Sequence, residues 1–224
     1  MRVVHVYYSL NLGGIETLLI NVCNWQIKNK IEVSLVLIHD LYDRSLVNSL
    51  DKNVKLIFLK RGVGSKNPYF IFKLNKFLLL NSHDVIHVHA AEIGNLLLNR
   101  FRKKMILHIH ATIEITNNKI PKAKKYIAIS NSVAKVLNEV YNISDVEVVY
   151  NGINFNQFVK KQTSRRTNKI ISLLNLNDKI KNQSFLIKEF HKIIDQIDAN
   201  LYLVGDGKDR NKLHDLINSL NISN

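Results

Sequence analysis

Short apolar runs rich in valine and isoleucine alternate with segments of helical period from the first residue onward, and this rhythm limits the fold more than any other property of the chain. The runs have the length of strands and are apolar at consecutive positions. Both faces of the sheet they build must therefore be covered, which is the mark of parallel strands joined by helical crossovers. Strands are predicted at Val3 to Tyr8, Glu32 to Ile38, Val54 to Leu59, Val85 to His89, Met105 to His110, Tyr126 to Ile129 and Val146 to Tyr150. Helices are predicted at Ile15 to Lys28, Tyr69 to Leu80 and Glu92 to Arg102, and Ser130 or Asn131 is placed to cap another that runs to Tyr141.

The apolar pattern stops between Val159 and Lys169, where the stretch from Lys160 to Asn168 is wholly polar and reads as a linker. The rhythm then resumes with strands at Ile170 to Leu174 and Leu201 to Val204 and helices at Asn182 to Ile194 and Asp209 to Leu220. The expected organisation is a Rossmann-like α/β domain over 1–158, a linker over 159–169, and part of a second Rossmann-like domain over 170–224. Two βα units barely bury their own apolar faces, so the second domain is expected to be incomplete.

Several function classes are excluded early. The single cysteine, Cys23, lies among apolar residues of a predicted helix, so neither a disulfide framework nor a cysteine-based metal site can be built. No apolar run approaches the roughly 18 to 20 residues that cross a bilayer, and Met1-Arg2 leads straight into a strand. A cytoplasmic location is expected. Lysine and arginine total 32 against 18 acids, a formal charge of +14, which attracts phosphates, nucleic acid or an anionic membrane without choosing among them. No nucleic-acid module is present and no aromatic residues interleave the basic stretches, so no nucleic-acid partner is expected.

Candidate chemistry sits at strand ends. Gly13-Gly14 joins the first strand to the first helix, where glycines let a ligand approach the backbone and a helix N-terminus offers free N–H groups to a phosphate. A tight turn would account for the pair equally well, and the spacing does not match the Gly-x-Gly-x-x-Gly dinucleotide fingerprint. His87 and His89 end one strand, and His108 and His110 end the next. Ligands of open parallel sheets bind beyond the carboxyl ends of the strands, so His89 and His110 are expected to line a cleft. Strand alternation puts His87 on the side of His89 and His108 on the side of His110, so facing alone does not separate them. No carboxylate or cysteine at ligand spacing accompanies them, and no metal site is expected.

These pieces occur in an order that carries a family resemblance. Gly13-Gly14-Ile15-Glu16-Thr17, Asp84-Val85-Ile86-His87-Val88-His89, the strand ending at His110, Tyr126-Ile127-Ala128-Ile129-Ser130, Val148-Val149-Tyr150-Asn151-Gly152-Ile153-Asn154 and Leu203-Val204-Gly205-Asp206-Gly207 follow one another over nearly the whole chain. Their spacing is similar to that of retaining GT-B glycosyltransferases of family four, which includes capsule, lipopolysaccharide and mannosyl transferases. The resemblance implies a nucleotide-sugar donor held mainly by the C-terminal domain, a glycan or lipid-linked acceptor held mainly by the N-terminal domain, and transfer between them with retention. It implies that Gly13 and Gly14 approach the donor diphosphate or sugar and that His110, the catalytic candidate, sits by the transferred sugar. Glu16, His89 and Ser130 would lie on the cleft or acceptor side, Asn151-Gly152 at the start of the hinge, and Lys181, Gly205 and Gly207 on the donor. No cofactor or metal is implied, because basic side chains and helix N-termini do the work of a cation on the leaving diphosphate.

Two departures from the family pattern matter. Where the family has a Gly-Arg pair followed by a lysine, Lys181 is present but Asn175 or Leu176 stands in the arginine's place, and neither makes a bidentate charged contact to a diphosphate. The sequence also stops before the region of the family's Glu-x7-Glu motif; Glu139 and Glu147 share that spacing by coincidence. The leading expectation is therefore a C-terminally truncated transferase, impaired when alone and open to a complementing polypeptide. The alternative is a non-catalytic acceptor-domain remnant that partners another transferase or the inner face of the membrane. Its support is the basic stretches near Arg100 to Lys104, Lys119 to Lys125 and Lys160 to Lys169.

Overall fold

The computed structural model describes residues 1–112, 119–153 and 168–222. The chain divides into two compact units, Met1–Phe158 and Val159–Asn224. In the first, seven strands form one sheet: β1 (Arg2–Tyr7), β2 (Glu32–Leu37), β3 (Lys55–Phe58), β4 (Val85–Val88), β5 (Met105–Ile109), β6 (Lys125–Ala128) and β7 (Val146–Val148). Every pairing is parallel, and the order is β3-β2-β1-β4-β5-β6-β7. The chain works outward from β1 to β3 and then returns to lay β4 on the other side of β1, so the order reverses between β1 and β4. This is the expected α/β, Rossmann-like sheet.

Burial on both faces explains the apolar runs. On one face Val4, Val6, Ile86, Val88, Leu107 and Ile109 pack with residues of α3 (Tyr69–Leu80), α4 (Ala91–Leu96) and α5 (Asn131–Tyr141). On the other face Val33, Leu35 and Leu37 pack with Leu19, Ile20 and Cys23 of α1 (Gly14–Lys28). Burial pushes the Cys23 thiol up to about 12, so it stays a protonated, unreactive packing group. Among the described residues no helix is long and apolar enough to cross a membrane.

The predicted helix at Glu92 to Arg102 is corrected by the structure. It breaks after Leu96 and resumes as a 3-10 segment over Asn99–Lys104, with Leu97 and Leu98 extended between them. Buried Asn75 of α3 accounts for the break: its Nδ2 donates to the Leu96 carbonyl at 3.0 Å and its Oδ1 accepts the Leu98 N–H at 2.9 Å. The amide thus takes over backbone groups that the interrupted helix would have paired. A short helix that the apolar rhythm does not announce, α2 (Arg44–Ser49), forms because the Asp43 carboxylate caps the Ser45 and Leu46 N–H groups.

The second unit holds a parallel pair, β8 (Lys169–Leu173) and β9 (Asn200–Val204), with α6 (Asp178–Lys181), α7 (Gln183–Ile193) and α8 (Arg210–Ser219). The predicted helix at Asn182 to Ile194 starts one residue later, because Asn182 takes a left-handed conformation that ends α6 and starts α7. Most of the expected linker lies outside the described residues, and Lys169 already belongs to β8. Leu176, Ile187 and Leu213 form a small core on one side of the pair. The opposite side pairs Ile171 with Tyr202 and Leu173 with Val204, and all of these remain exposed.

Replacing Asn75 by leucine keeps the volume but takes the side-chain partner from two backbone groups, the carbonyl of half-buried Leu96 and the N–H of exposed Leu98. The expected result is a loss of about 0.5 to 1.5 kcal/mol for each, read as a lower denaturant midpoint. A variant as stable as the parent would remove Asn75 from its bridging role.

Candidate functional site

The reversal of strand order between β1 and β4 opens a crevice position at the carboxyl ends of the central strands, where α/β sheets bind ligands. Gly13 and Gly14 follow β1, His89 follows β4, His110 follows β5 and Ser130 follows β6, so topology brings these five predicted residues to one edge. Asn151 and Gly152 lie exposed in the coil beyond β7. Lys181, Gly205 and Gly207 belong to the second unit.

Gly13 precedes α1 in an extended conformation, and no side chain caps the helix start. The Glu16 carboxylate folds back there, accepting its own backbone N–H, and a Cβ built on Gly13 would lie 2.3 Å from its Oε2. Partial burial raises the Glu16 pKa, and the backbone hydrogen bond opposes the rise. The position expected to take a phosphate thus holds the chain's own anion. Ser130 has a structural duty as well, its Oγ accepting the Val133 N–H as N-cap of α5.

Five histidines share the α1 side of the sheet, a pattern that parallel register imposes. His5 on β1 stands beside His87 on β4, and His87 stands beside Ile106 on β5, so His89, His108 and His110 follow on the same face. Neighbouring rings are 4.1 to 5.5 Å apart along the row from His5 to His110. His5 Nε2 meets Gln26 Oε1 at 2.9 Å, His5 Nδ1 meets His89 Nε2 at 3.0 Å, and His89 Nδ1 meets His110 Nε2 at 3.1 Å. His89 is 1% exposed and His110 6%, so the edge they form is far more enclosed than their sequence positions suggest. The contribution of His5 could have been found only from strand register, since it lies far from the other four in sequence.

Two trios, His5 with His87 and His89, and His89 with His108 and His110, place one ring nitrogen each within 4.8 Å of the others. Chelation needs lone pairs that converge on a point. Here the rings lie at 16 to 40° to one another, and each trio contains a pair already hydrogen-bonded together. His5, His89 and His110 are linked by hydrogen bonds, whereas His87 Nε2 and both ring nitrogens of His108 are buried without a hydrogen-bond partner.

Burial governs the charge state. It lowers His5 to about 4, against the pull of the Gln26 hydrogen bond, and lowers His110 to about 4. Burial, with the neighbouring His110 and His5, takes His108 to about 3, and burial with the surrounding imidazoles puts His87 and His89 well below the ordinary value. All five are neutral at pH 7.

In the second unit, the β8 and β9 loops are laced together: Leu176 N–H donates to the Asp206 carbonyl at 2.9 Å and Asp209 N–H to the Leu176 carbonyl at 3.1 Å. Gly205 has φ +145°, and a Cβ there would lie 2.0 Å from the Leu174 carbonyl oxygen; one on Gly207 would lie 2.5 Å from that of Leu176. Close backbone approach is therefore sufficient reason for both glycines. Lys181 is exposed on α6, Asn175 is exposed, and Leu176 is buried in the small core, so neither residue at the arginine position offers a positive charge.

Two outcomes follow from this geometry. Gly205→Ala should destabilise the second unit by about 2 kcal/mol or more, through strain and collision with Leu174, visible as earlier proteolysis of that unit. Unfolded histidine titrates near 6.5, above the folded values, so between about 6.5 and 4 the unfolded chain binds protons that the folded chain refuses. Stability should be full above that window and fall with pH through it, by up to about 1.4 kcal/mol per pH unit for each histidine. Urea midpoints that stay level from pH 6.5 to 5 would contradict this.

Comparison with known proteins fits this architecture. Residues 12–157 match the model of Glycosyltransferase Family 4. No curated protein sequence matches the chain. Among solved structures, Anabaena HepE in complex with UDP and glucose is 17% identical with a TM-score of 0.73, covering 99% of this chain and 67% of that one. An S. aureus TarM variant in complex with UDP, fondaparinux and α-GlcNAc-glycerol is 7% identical with a TM-score of 0.73, covering 99% and 76%. Sucrose-phosphate synthase from Thermosynechococcus elongatus is 13% identical with a TM-score of 0.72, covering 99% and 68%. At these identities the structures speak for a shared GT-B fold, and the family model, which spans more than half of the sequence, goes further: this chain belongs to glycosyltransferase family 4.

Proposed function

We propose that the chain serves transfer of a sugar, with retention, from a nucleotide-sugar donor to a polysaccharide or lipid-linked acceptor, without a metal or cofactor. The first unit takes the acceptor, and the second contributes Lys181, Gly205 and Gly207 to the donor. The observation that carries this reading is the set Gly13, His89, His110 and Ser130 at one strand edge, at the point where strand order reverses, in a chain of this family. HepE and TarM are in complex with UDP, which makes a uridine diphosphate sugar the first donor to try.

The chain alone should turn over slowly or not at all. The position of the diphosphate-clamping arginine is filled by Asn175 and Leu176, a missing charged contact of about 1.5 to 3 kcal/mol. The exposed apolar side of β8 and β9 supports a complementing polypeptide that would cover it, since parallel sheets are covered on both faces. The contrary reading, a non-catalytic remnant at an anionic membrane, has its best support in α3. Tyr69 (57% exposed), Phe72 (59%) and Leu80 (74%) project outward from it, with Lys73 over the Tyr69 ring and Lys76 over the Phe72 ring. Aromatic and aliphatic side chains beside lysines suit a charged lipid interface. Membrane contact is compatible with transfer to a lipid-linked acceptor, so the two readings part over donor binding.

Calorimetric titration with UDP and UDP-glucose should show binding that Lys181→Ala weakens about 10- to 100-fold. Absence of binding to uridine, adenosine and guanosine diphosphates alike would sink the donor role. Flotation with phosphatidylglycerol vesicles should fall with added salt and with Phe72→Ser, and retention of both at wild-type level would remove α3 from the membrane contact.

A further inference from the structure

We propose that a cavity at the amino ends of β1, β2 and β3 binds the phosphate group of an organic phosphate monoester. This is the edge of the sheet opposite to the one at which His89 and His110 lie. Arg2, Glu32 and Lys55, the first residues of the three strands, line the cavity, with Lys30 beyond the end of α1 and His83 just before β4. Its volume is about 700 Å³, which is the size of a small-molecule site.

Charge selects the ligand. Among the described residues that line the cavity, Arg2, Lys30 and Lys55 are cations and Glu32 is the one carboxylate, which leaves an excess of two positive charges. A phosphate monoester carries about −1.5 to −2 at pH 7 and offers three acceptor oxygens, so it matches that excess. A carboxylate or a sulfate ester, each with a single charge, meets only half of it. Ile27, Ile31 and Leu80 supply apolar wall for the organic part.

The chain carries +14, so exposed lysines are common, and three observations set this place apart. The cations converge from distant parts of the sequence: Lys104 joins them from the segment before β5, its Nζ donating to the His83 carbonyl at 2.8 Å. Lys30 has φ +62°, a left-handed conformation that favours glycine or asparagine, so a charged side chain stands at the cavity where a smaller residue would be less strained. His83 is 7% exposed, and its Nε2 is buried with no hydrogen-bond partner.

His83 also reports the field at this edge. Burial holds it below the ordinary histidine value, and the charges of Arg2, Lys104 and Lys55 press it further down against a smaller pull from Asp84. Asp84 is already engaged, accepting the Arg2 backbone N–H at 2.7 Å. A bound dianion would cancel the positive field that the imidazole feels.

The test follows the His83 ring signals of the full chain by nuclear magnetic resonance as phenyl phosphate is added. The signals should move saturably, and the His83 titration midpoint should rise, because the anion offsets Arg2, Lys55 and Lys104. Phenyl sulfate, with one charge fewer, should bind about 10-fold more weakly. Lys55→Gln and Lys30→Asn, the latter suited to the left-handed backbone, should each weaken phenyl phosphate about 3- to 10-fold and leave UDP binding unchanged. Lys181→Ala should do the reverse, so loss of UDP binding alone would sink the donor reading and leave this site standing. Phosphatidic acid vesicles form a second arm: capture of the chain that both lysine variants reduce, with no response to phenyl phosphate, would place the monoester on a lipid headgroup. His83 signals unmoved by either probe, equal affinity for the sulfate, or wild-type binding by both lysine variants overturns the proposal.

Discussion

The seven-stranded parallel sheet is covered on both faces, and most of the first unit follows from how those two faces are filled. One is closed by hydrocarbon from three helices. The other is closed by hydrocarbon under β2 and β3; further along, from β1 across β4 to β5, the register sets a row of imidazoles where aliphatic side chains would otherwise pack. Burial holds these imidazoles neutral, and directional bonds join three of them, His5, His89 and His110, to one another and to Gln26, while His87 and His108 pack between them with ring nitrogens that find no partner. Those bonds tie α1, β1, β4 and the start of the loop after β5 into one unit beneath the edge where the family's chemistry is expected.

The sheet was legible because its signal is local. Val33, Leu35 and Leu37 face one way and Val4, Val6 and Val36 the other, so apolar residues at consecutive positions of the central strands mean two covered faces. The broken helix after Leu96 was not legible, because nothing in Glu92 to Arg102 announces the break. Its cause, Asn75, lies on another helix and acts through space. The edge residues His89, His110 and Ser130 could be placed from strand ends alone. Their bonding could not, since His5 and Gln26 join them only through the pairing of β1 with β4 and the packing of α1.

The second unit shows how a motif can have a structural reason of its own. Gly205 and Gly207 read as a glycine turn awaiting a nucleotide, and the structure finds them pressed against the backbone of Leu174 and Leu176. The two explanations are compatible, because loops drawn that tightly together also expose main-chain groups at a strand end. The small core takes up Leu176, one of the two residues at the position where the family resemblance implies an arginine, so that side chain has a packing duty of its own.

The Glu16 carboxylate folded back at the start of α1 gives Gly13 a steric reason of its own. Gly13 has the extended backbone that any residue can adopt, so its small size does not serve a left-handed turn. A methyl group there would run into the Glu16 side chain, and alanine at this position would have to push the acid away from the helix start. The glycine thus makes room for a neighbouring side chain, a duty that a reading of strand-to-helix turns as ligand cradles passes over.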